Sequence, residues 1–466
     1  MNKKRGTPRV VSPVMATLAD YIATALRKPL PAPVAEKTKH HLLDTLAAMI
    51  TGAKLPPGKM AISYVKRLGE PKEASVAGSR LLAGVVHAAL ANGMLAHADE
   101  TDDSHAGAMM HPGCAIVPAA LAMAERDRAS GAALLRAVAL GYDVAARLNM
   151  SLHGSHFRAV GHLTHCFGPM FGAAAAGAAL AGLDPRQVRH VLSYTAQQTS
   201  GLSTYMFDTD HIEKAFDFGG MPARGGISAV TMVEAGFTGV EDVFSGERNF
   251  YVAFDESGRI GRAPQPEILV RGLGTVYEIM NTNIKRWSVG SPIQAALDSL
   301  LELIRAHGVK AGDVEKVRVT VYASGANTVD NREMPDINLQ QMCAVMLLDG
   351  IVTFRSAHDE KRMKDPKVLA LRRRIELAGS DELQKRLPER HGIVELTLKD
   401  GRQLRHHTKA VRGTAQNPMT HAEVDEKCYH LMAPVLGAKR ARRLCDTVWN
   451  IEDVSDVRRL RPLLQA

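Results

Sequence analysis

The chemically richest stretch of this chain spans residues 92–113, NGMLAHADETDDSHAGAMMHPG. It holds four carboxylates and three imidazoles, and Ser104 adds a neutral hydroxyl beside them; the charged and titratable residues are Asp99, Glu100, Asp102, Asp103, His97, His105 and His111. Apolar, alanine-rich sequence flanks it on both sides, and a polar loop between buried helices is costly unless its groups pair with one another, with water or with a ligand. A solvated acidic loop is the ordinary interpretation, but the apolar flanks and the His-Pro-Gly ending favour a functional site.

Three further polar elements interrupt the apolar pattern, at residues 151–168, 205–226 and 283–289. The first contains four histidines, of which His162 or His165 is the candidate for a site. The second carries Lys214 ahead of a glycine-rich turn, and the third carries Lys285 and Arg286. We expect the polar connectors at 92–113, 151–168 and 205–226 to meet and to present their charges to one bound acid.

Such side chains suit the removal of a proton beside a carboxylate, because the carbanion or enediolate that forms needs positive charge already in place. A histidine or a lysine can accept the proton. Burial lowers the pKa of a lysine readily, so Lys214 could be either the base or a clamp for a carboxylate. Two other interpretations stay open. Lys214 and Lys285 could be solvated surface groups. Alternatively, a metal could be bound by His97, Asp102, His105 and His111, although their spacing matches no motif such as HExxH.

Length and composition limit the class of protein. A chain of 466 residues, 45% of them hydrophobic, can bury more than one core, and the scarcity of aromatic residues (5%) favours helix over sheet. Five cysteines without a CxxC pair are typical of reduced thiols in a cytoplasmic protein. The net charge of +9 does not indicate nucleic acid, since the basic runs at 371–374 and 439–443 lack interleaved aromatic residues. The most apolar run, residues 167–183, is too short and too rich in Ala and Gly for a membrane span and predicts a closely packed buried helix.

The order of patterns predicts a mostly α protein. After a basic tail over 1–12, residues 1–265 predict the first part of an all-helical domain, with Ser130 and Asp184 as helix caps and helices opening at Pro169 and Pro185. Residues 266–412 predict a smaller α+β domain, with a strand at 316–323, a charged tract of surface helices at 359–390 and a hairpin around Asp400-Gly401. Residues 413–466 predict helices that return to the first domain.

Several of these segments together resemble the MmgE/PrpD family, which includes 2-methylcitrate dehydratases, cis-aconitate decarboxylases and iminodisuccinate epimerases. They are residues 92–113, FGAAAAGAALAGL, EKAFDFGGMPARGG, GFTGVEDVFSG and RGTAQNPMT. The resemblance covers almost the whole chain. It implies a large all-helical domain from both chain ends, a smaller α+β lid domain, a homodimer, and lyase or isomerase chemistry without a metal or an organic cofactor.

The resemblance also assigns residues. The family's acidic motif, usually D-F-D-D-T-H, falls on 100–105, which makes Glu100 the first acid, with Asp99 as the alternative register, and Ser104 the hydroxyl. The family's His-Pro pair falls on His111 and Pro112. Its later histidine aligns best with His162, and His165 is the second choice. Its two lysines fall on Lys214 and Lys285. The catalytic set is therefore Lys214, His111, His162, Glu100 and Ser104, and the substrate-binding set is Lys285, Arg286 and Asp103.

The chain departs from the family in two segments. Residues 288–292, SVGSP, replace the cysteine and histidine that often follow the second lysine, and residues 337–342, INLQQM, place no tyrosine near Gln341. We expect a cytoplasmic, homodimeric, cofactor-independent lyase of the dehydratase kind that acts on a small di- or tricarboxylate, with neither nucleic acid nor membrane as partner. An epimerase, racemase or decarboxylase using the same site is the alternative, and a non-catalytic anion-binding protein is the rival from another class.

Overall fold

The computed structural model describes residues 11–466, so the predicted basic tail lies outside the described residues except for its last two. The chain forms two compact units. The first comprises residues up to 98, residues 103–282 and residues 421–466, and the second comprises residues 99–102 and 283–420. The boundaries between the units lie at 282/283 and 420/421, whereas the sequence predicts domain boundaries at 265/266 and 412/413. Residues 266–282 belong to the first unit because they bond to the helix Gly131–Ser151: Glu278 N donates to Asp143 at 2.6 Å and Arg147 donates to Val276 O at 2.8 Å.

The first unit is helical, which confirms the predicted class. Its helices are Pro13–Thr24, Ala32–Gly52, Pro56–Leu68, Val85–Ala96, Gly113–Arg126, Gly131–Ser151, Gly154–Ala159, Thr164–Leu180, Pro185–Gln198, Ile212–Ala215, Met221–Glu234, Phe250–Ala253, Ser257–Ile260, His421–Leu436, Ala438–Trp449 and Arg461–Leu464. A two-stranded antiparallel pair joins Ala74–Ser75 to Leu82–Ala83. The predicted caps are confirmed: Ser130 Oγ accepts from Ala133 N at 3.2 Å, and Asp184 accepts from Gln187 N at 2.9 Å.

The helix Thr164–Leu180 is the centre of this unit, and it is buried along nearly its whole length, as predicted for 167–183. Small residues let other backbones approach it closely. A Cβ on Gly172 would lie 2.4 Å from Gly141 O, and one on Gly226 would lie 2.7 Å from Ala174 N. The helix begins at Thr164, five residues before the predicted start at Pro169, and this earlier start places His165 in its first turn.

The second unit is a small α+β structure. Its four-stranded sheet has the order Ile375–Ser380, Val314–Tyr322, Gly392–Leu398, Gln403–Thr408; the first pair is parallel and the other two pairs are antiparallel. The helix Ser291–His307 packs on the last three strands, and the remaining helices are Ala323–Val329, Leu339–Asp349, Phe354–Ala357, Pro366–Arg372 and Asp381–Gln384. The strand Ile375–Ser380 corrects the prediction of helices alone over 359–390, because its Ile375 and Leu377 pair with the apolar register of the long strand.

None of the helices among residues 11–466 combines the length and the apolar character that crossing a bilayer requires.

Candidate active site

A π-helical turn, Phe216–Gly220, lies between the helices Ile212–Ala215 and Met221–Glu234 and positions the candidate site of the first unit. π-Helical turns are rare in proteins, and those that occur are often found at functional sites. Gly219 packs directly on Gly93 of the helix Val85–Ala96, and a Cβ on Gly219 would lie 2.0 Å from Gly93 O. Because both positions lack a side chain, the turn approaches the end of that helix, and Phe218 lies beside His97, the residue that follows the helix.

Four imidazoles surround or adjoin the ring of Phe218, and we call them the histidine cluster: His97, His111, His165 and His211. His165 stacks on Phe218 with ring centroids 3.8 Å apart, and His97 stacks on it at 4.4 Å. His111 lies 5.0 Å from His97 and 5.3 Å from His165, and His211 lies 5.2 Å from His97. The structure thus brings residues of all three polar connectors together within one unit.

The surroundings of His165 disfavour its protonated form. Burial, followed by the neighbouring His111 and Arg158, lowers its pKa well below the usual value for histidine. Its Nδ1 is buried and has no hydrogen-bond partner among residues 11–466. A neutral imidazole with an unpartnered ring nitrogen can accept a proton from a ligand, and an anionic ligand would raise its pKa and so stabilise the protonated form.

Lys214 and Tyr205 complete this site. The Nζ atom of Lys214 lies 5.4 Å from the centroid of the Phe218 ring, so the cation faces the same aromatic ring as the imidazoles. Tyr205 contacts Phe218 edge-on at 4.8 Å, and the guanidinium of Arg158 lies 5.8 Å from the tyrosine ring. The Tyr205 hydroxyl is buried without a hydrogen-bond partner in the described part of the chain. Tyr205 therefore supplies a phenol to the site of the first unit.

Asp103 lies at the centre of a buried hydrogen-bond network. Its carboxylate accepts from His41 Nδ1 at 2.7 Å, from Tyr142 Oη at 2.6 Å and from Gly113 N at 2.9 Å. Burial lowers the pKa of His41 to about 4. Through these three hydrogen bonds Asp103 fixes the start of the helix that follows His111, and its predicted contact with a substrate stays a prediction.

His162, the first choice from sequence, lies outside the histidine cluster. Its Nε2 is 2.7 Å from Glu256 Oε1, and its ring stacks on Phe157 at 4.0 Å. Its backbone forms an isolated bridge with Leu202, before the helix that carries His165 begins. The structure therefore favours His165, the second choice, as the histidine of the second connector.

Two other residues of the first connector have clear positions. Ser104 is buried. His105 Nδ1 accepts a hydrogen bond from Ala108 N at 3.0 Å, and His105 Nε2 lies 3.3 Å from the Glu278 carboxylate. Both ring nitrogens therefore have partners in the loop and in the short turn at Glu278. This arrangement separates His105 from the histidine cluster.

In the second unit, Lys285 forms a buried ion pair with Glu100. Its Nζ lies 3.0 Å from the Glu100 carboxylate, 2.9 Å from the Glu100 carbonyl oxygen and 3.8 Å from Asp102. Burial lowers the pKa of Lys285, but the carboxylates of Glu100 and Asp102 outweigh it and leave that pKa raised. Lys285 is therefore a retained cation, which excludes it as a base at neutral pH.

Arg286 stacks on Trp287, with its guanidinium 4.7 Å from the ring, and lies 3.7 Å from Asp298. Gln341 is fully buried, and neither polar atom of its amide has a hydrogen-bond partner within residues 11–466. An unpaired buried amide is costly, so Gln341 is a candidate ligand contact in this unit.

His358, which the sequence analysis did not single out, holds the start of the acidic segment. Its Nε2 lies 3.0 Å from Asp99, and its Nδ1 donates to Phe354 O at 2.7 Å. Burial lowers its pKa, but the hydrogen bond and the charge of Asp99 outweigh this effect and raise the pKa to about 9. Asp99 also accepts from Thr101 Oγ1 at 2.5 Å, so this carboxylate orders residues 99–102.

Comparison with known proteins agrees with this architecture. Residues 16–262 match the MmgE/PrpD N-terminal domain, and residues 287–453 match the MmgE/PrpD C-terminal domain. The chain belongs to the MmgE/PrpD family. Among curated relatives, the cis-aconitate decarboxylase-like protein oryM of Aspergillus oryzae is 24% identical over 478 residues, which covers 97% of each chain. A cis-aconitate decarboxylase of Aspergillus terreus is 23% identical over 489 residues, which covers 100% of this chain and 98% of the relative.

Proposed function

We propose that the protein is a lyase that removes a proton from a small di- or tricarboxylate, with elimination of water as its principal reaction. The observation that carries this proposal is the buried imidazole of His165, which stacks on Phe218, has an unpartnered Nδ1 among residues 11–466 and shares the Phe218 ring with Lys214. Carbanion formation requires a proton acceptor and a positive charge beside the carboxylate. A base and a cation that both contact the Phe218 ring supply these two groups.

The proposed elimination uses residues of the first unit. Lys214 and Arg158 attract the carboxylates, and the bound negative charge raises the pKa of His165. His165 Nδ1 then takes the proton from the carbon beside a carboxylate. The electron pair of that C–H bond forms the double bond while the C–O bond breaks, and a proton from Tyr205 Oη converts the leaving hydroxide into water. Asp103 and His41 keep the loop that carries His111 in place.

Decarboxylation is the second candidate, because the curated relatives in Aspergillus are cis-aconitate decarboxylases or similar to them. In that reaction the C–C bond to a carboxylate breaks, CO2 leaves, and the carbanion takes a proton from an acid of the site. Tyr205 supplies a hydroxyl for this step, although residues 337–342 contain no tyrosine.

A panel of small hydroxy and unsaturated di- and tricarboxylates tests the proposal. We expect ultraviolet absorbance of a new double bond from a hydroxy acid such as citrate or 2-methylcitrate. Release of CO2 from cis-aconitate would favour the decarboxylase, and deuterium entering recovered substrate without net elimination would favour the epimerase. Binding without any of these reactions across the panel would contradict a lyase. The proposal keeps the homodimer that the family resemblance implies, and the mass of the purified chain measured by light scattering checks it.

A further inference from the structure

A group of side chains of the types that bind metal ions lies in the first unit, apart from the proposed lyase residues. Glu36 and His40 are one turn apart on the helix Ala32–Gly52, so their side chains share one face. His421, the first residue of the helix His421–Leu436, reaches the same face from the other end of the chain. The Nδ1 atom of His421 lies 2.9 Å from Glu36 Oε1, and the Nε2 atom of His40 lies 3.3 Å from that same oxygen.

These spacings are close to those that a metal ion imposes. Zinc binds imidazole nitrogen at about 2.0–2.1 Å and carboxylate oxygen at about 2.0–2.2 Å, which sets neighbouring tetrahedral ligands about 3.4 Å apart. The three candidate ligand atoms all lie within 4.8 Å of one another. Small side-chain rotations therefore bring one oxygen and two nitrogens onto a single ion.

Trp449 orders both imidazoles. Its ring stacks on His421 with centroids 3.7 Å apart and meets His40 edge-on at 5.3 Å. The indole nitrogen donates to Asp425 at 2.7 Å, which fixes the orientation of the ring. Ligands that are already packed lose less side-chain entropy when an ion binds.

We propose that Glu36, His40 and His421 form a site for a first-row transition metal, with Zn2+ as the best match to two imidazoles and one carboxylate. The side chains of Glu36 and His421 are 47% and 53% exposed, so the ion keeps positions for water. The site is structural, and it is independent of the proposed lyase activity. It joins the helix His421–Leu436 to the helix Ala32–Gly52, on which His41, the residue after His40, hydrogen-bonds to Asp103.

Calorimetric titration of the EDTA-treated full chain with ZnCl2 tests this site. We expect one ion per chain, bound with a dissociation constant in the micromolar range or tighter, and at least a tenfold weaker constant for His421→Ala. His430→Ala is the matched control, because His430 lies on the same helix, is exposed and contacts residues of its own helix: it forms an ion pair with Glu426 at 3.8 Å and an edge-on ring contact with Tyr429. It should bind Zn2+ like the wild type.

Thermal unfolding with and without ZnCl2 separates the metal from the hydrogen bonds. In EDTA, the difference in unfolding temperature between wild type and His421→Ala reports the loss of the hydrogen bond to Glu36 and of the stacking on Trp449. The rise in unfolding temperature that zinc causes is a separate quantity. We expect that rise in the wild type and in His430→Ala and its loss in His421→Ala. Equal zinc binding and an equal temperature rise in His421→Ala, or absence of zinc binding by the wild type, would overturn the proposal.

Discussion

Replacing Gly219 by alanine should disrupt the contact that positions Phe218. The new Cβ would lie 2.0 Å from Gly93 O and 2.5 Å from Gly93 C. Both are backbone atoms, so no side chain can rotate away, and the π-helical turn must separate from the helix Val85–Ala96 to reach an ordinary contact distance. Overpacking of this kind costs about 3 kcal/mol. The gain of about 1 kcal/mol from exchanging Gly for Ala in helical backbone offsets part of it. We therefore expect the free energy of unfolding to fall by about 2 kcal/mol.

The same substitution should impair the candidate site. Displacement of the turn carries Phe218 away from His97 and His165, which stack on it at 4.4 and 3.8 Å. The lyase rate should fall by more than the small loss of folded protein explains. Urea unfolding followed by far-ultraviolet circular dichroism measures the stability, and the absorbance assay measures the rate.

Gly258→Ala is the matched control for Gly219→Ala. Gly258 lies in the short helix Ser257–Ile260, and a Cβ there meets no atom within 4 Å. Its stability should match or slightly exceed that of the wild type. If Gly219→Ala proves as stable and as active as Gly258→Ala, the contact between the turn and the helix does not position the site.

Three further substitutions test individual groups. Lys285→Met leaves the Glu100 carboxylate buried without its cation and should cost about 3–5 kcal/mol in urea unfolding. Lys316→Met removes an exposed pair with Glu376 and should cost far less. Equal costs would contradict the buried pair. The raised pKa of His358, about 9, means that its pair with Asp99 stabilises the fold fully below pH 6.5 and loses that effect as the pH rises through 9. The stability difference between wild type and His358→Asn should therefore shrink over this interval, by up to about 3 kcal/mol, and a constant difference would exclude a protonated His358. Tyr205→Phe keeps the ring on Phe218 and should lower kcat at least tenfold while the free energy of unfolding stays unchanged. The control Tyr194→Phe, which removes a hydroxyl that donates to Thr238 O, should keep full activity. A wild-type kcat in Tyr205→Phe would remove the Tyr205 hydroxyl from the mechanism.

The helices of the first unit were predictable because their apolar spacing and caps are local features. Ser130 and Asp184 cap the helices that follow them, as their side-chain chemistry predicts. The early start of the helix Thr164–Leu180 was not predictable from Pro169, since proline favours the first turn of a helix, whereas Pro169 lies at the sixth position, where it removes a backbone hydrogen bond. The strand Ile375–Ser380 was missed because its pairing with Val314–Tyr322 is a long-range contact that a charged local sequence does not reveal.

The candidate site could be predicted only in part. The sequence indicated the three connectors, but it could not separate His162 from His165, which differ by whether the residue precedes the helix or lies in its first turn. Tyr205 and Phe218 were overlooked because single aromatic residues in a polar segment carry no pattern, and their roles depend on the close contact of Gly93 with Gly219. His358 could not be predicted from the sequence either, because it is distant from Asp99 in the chain and only the fold places the two side chains together.

Comparison of His165→Gln with His162→Gln tests the central proposal most directly, because the two residues are three positions apart and differ in their surroundings. With a carboxylate that the wild type turns over, deuterium exchange at the carbon beside the carboxylate is measured by mass spectrometry in deuterated water. We expect His165→Gln to lose at least a hundredfold in exchange rate and His162→Gln to stay within threefold of the wild type. Wild-type exchange by His165→Gln, with the fold intact by circular dichroism, would contradict proton abstraction at the histidine cluster.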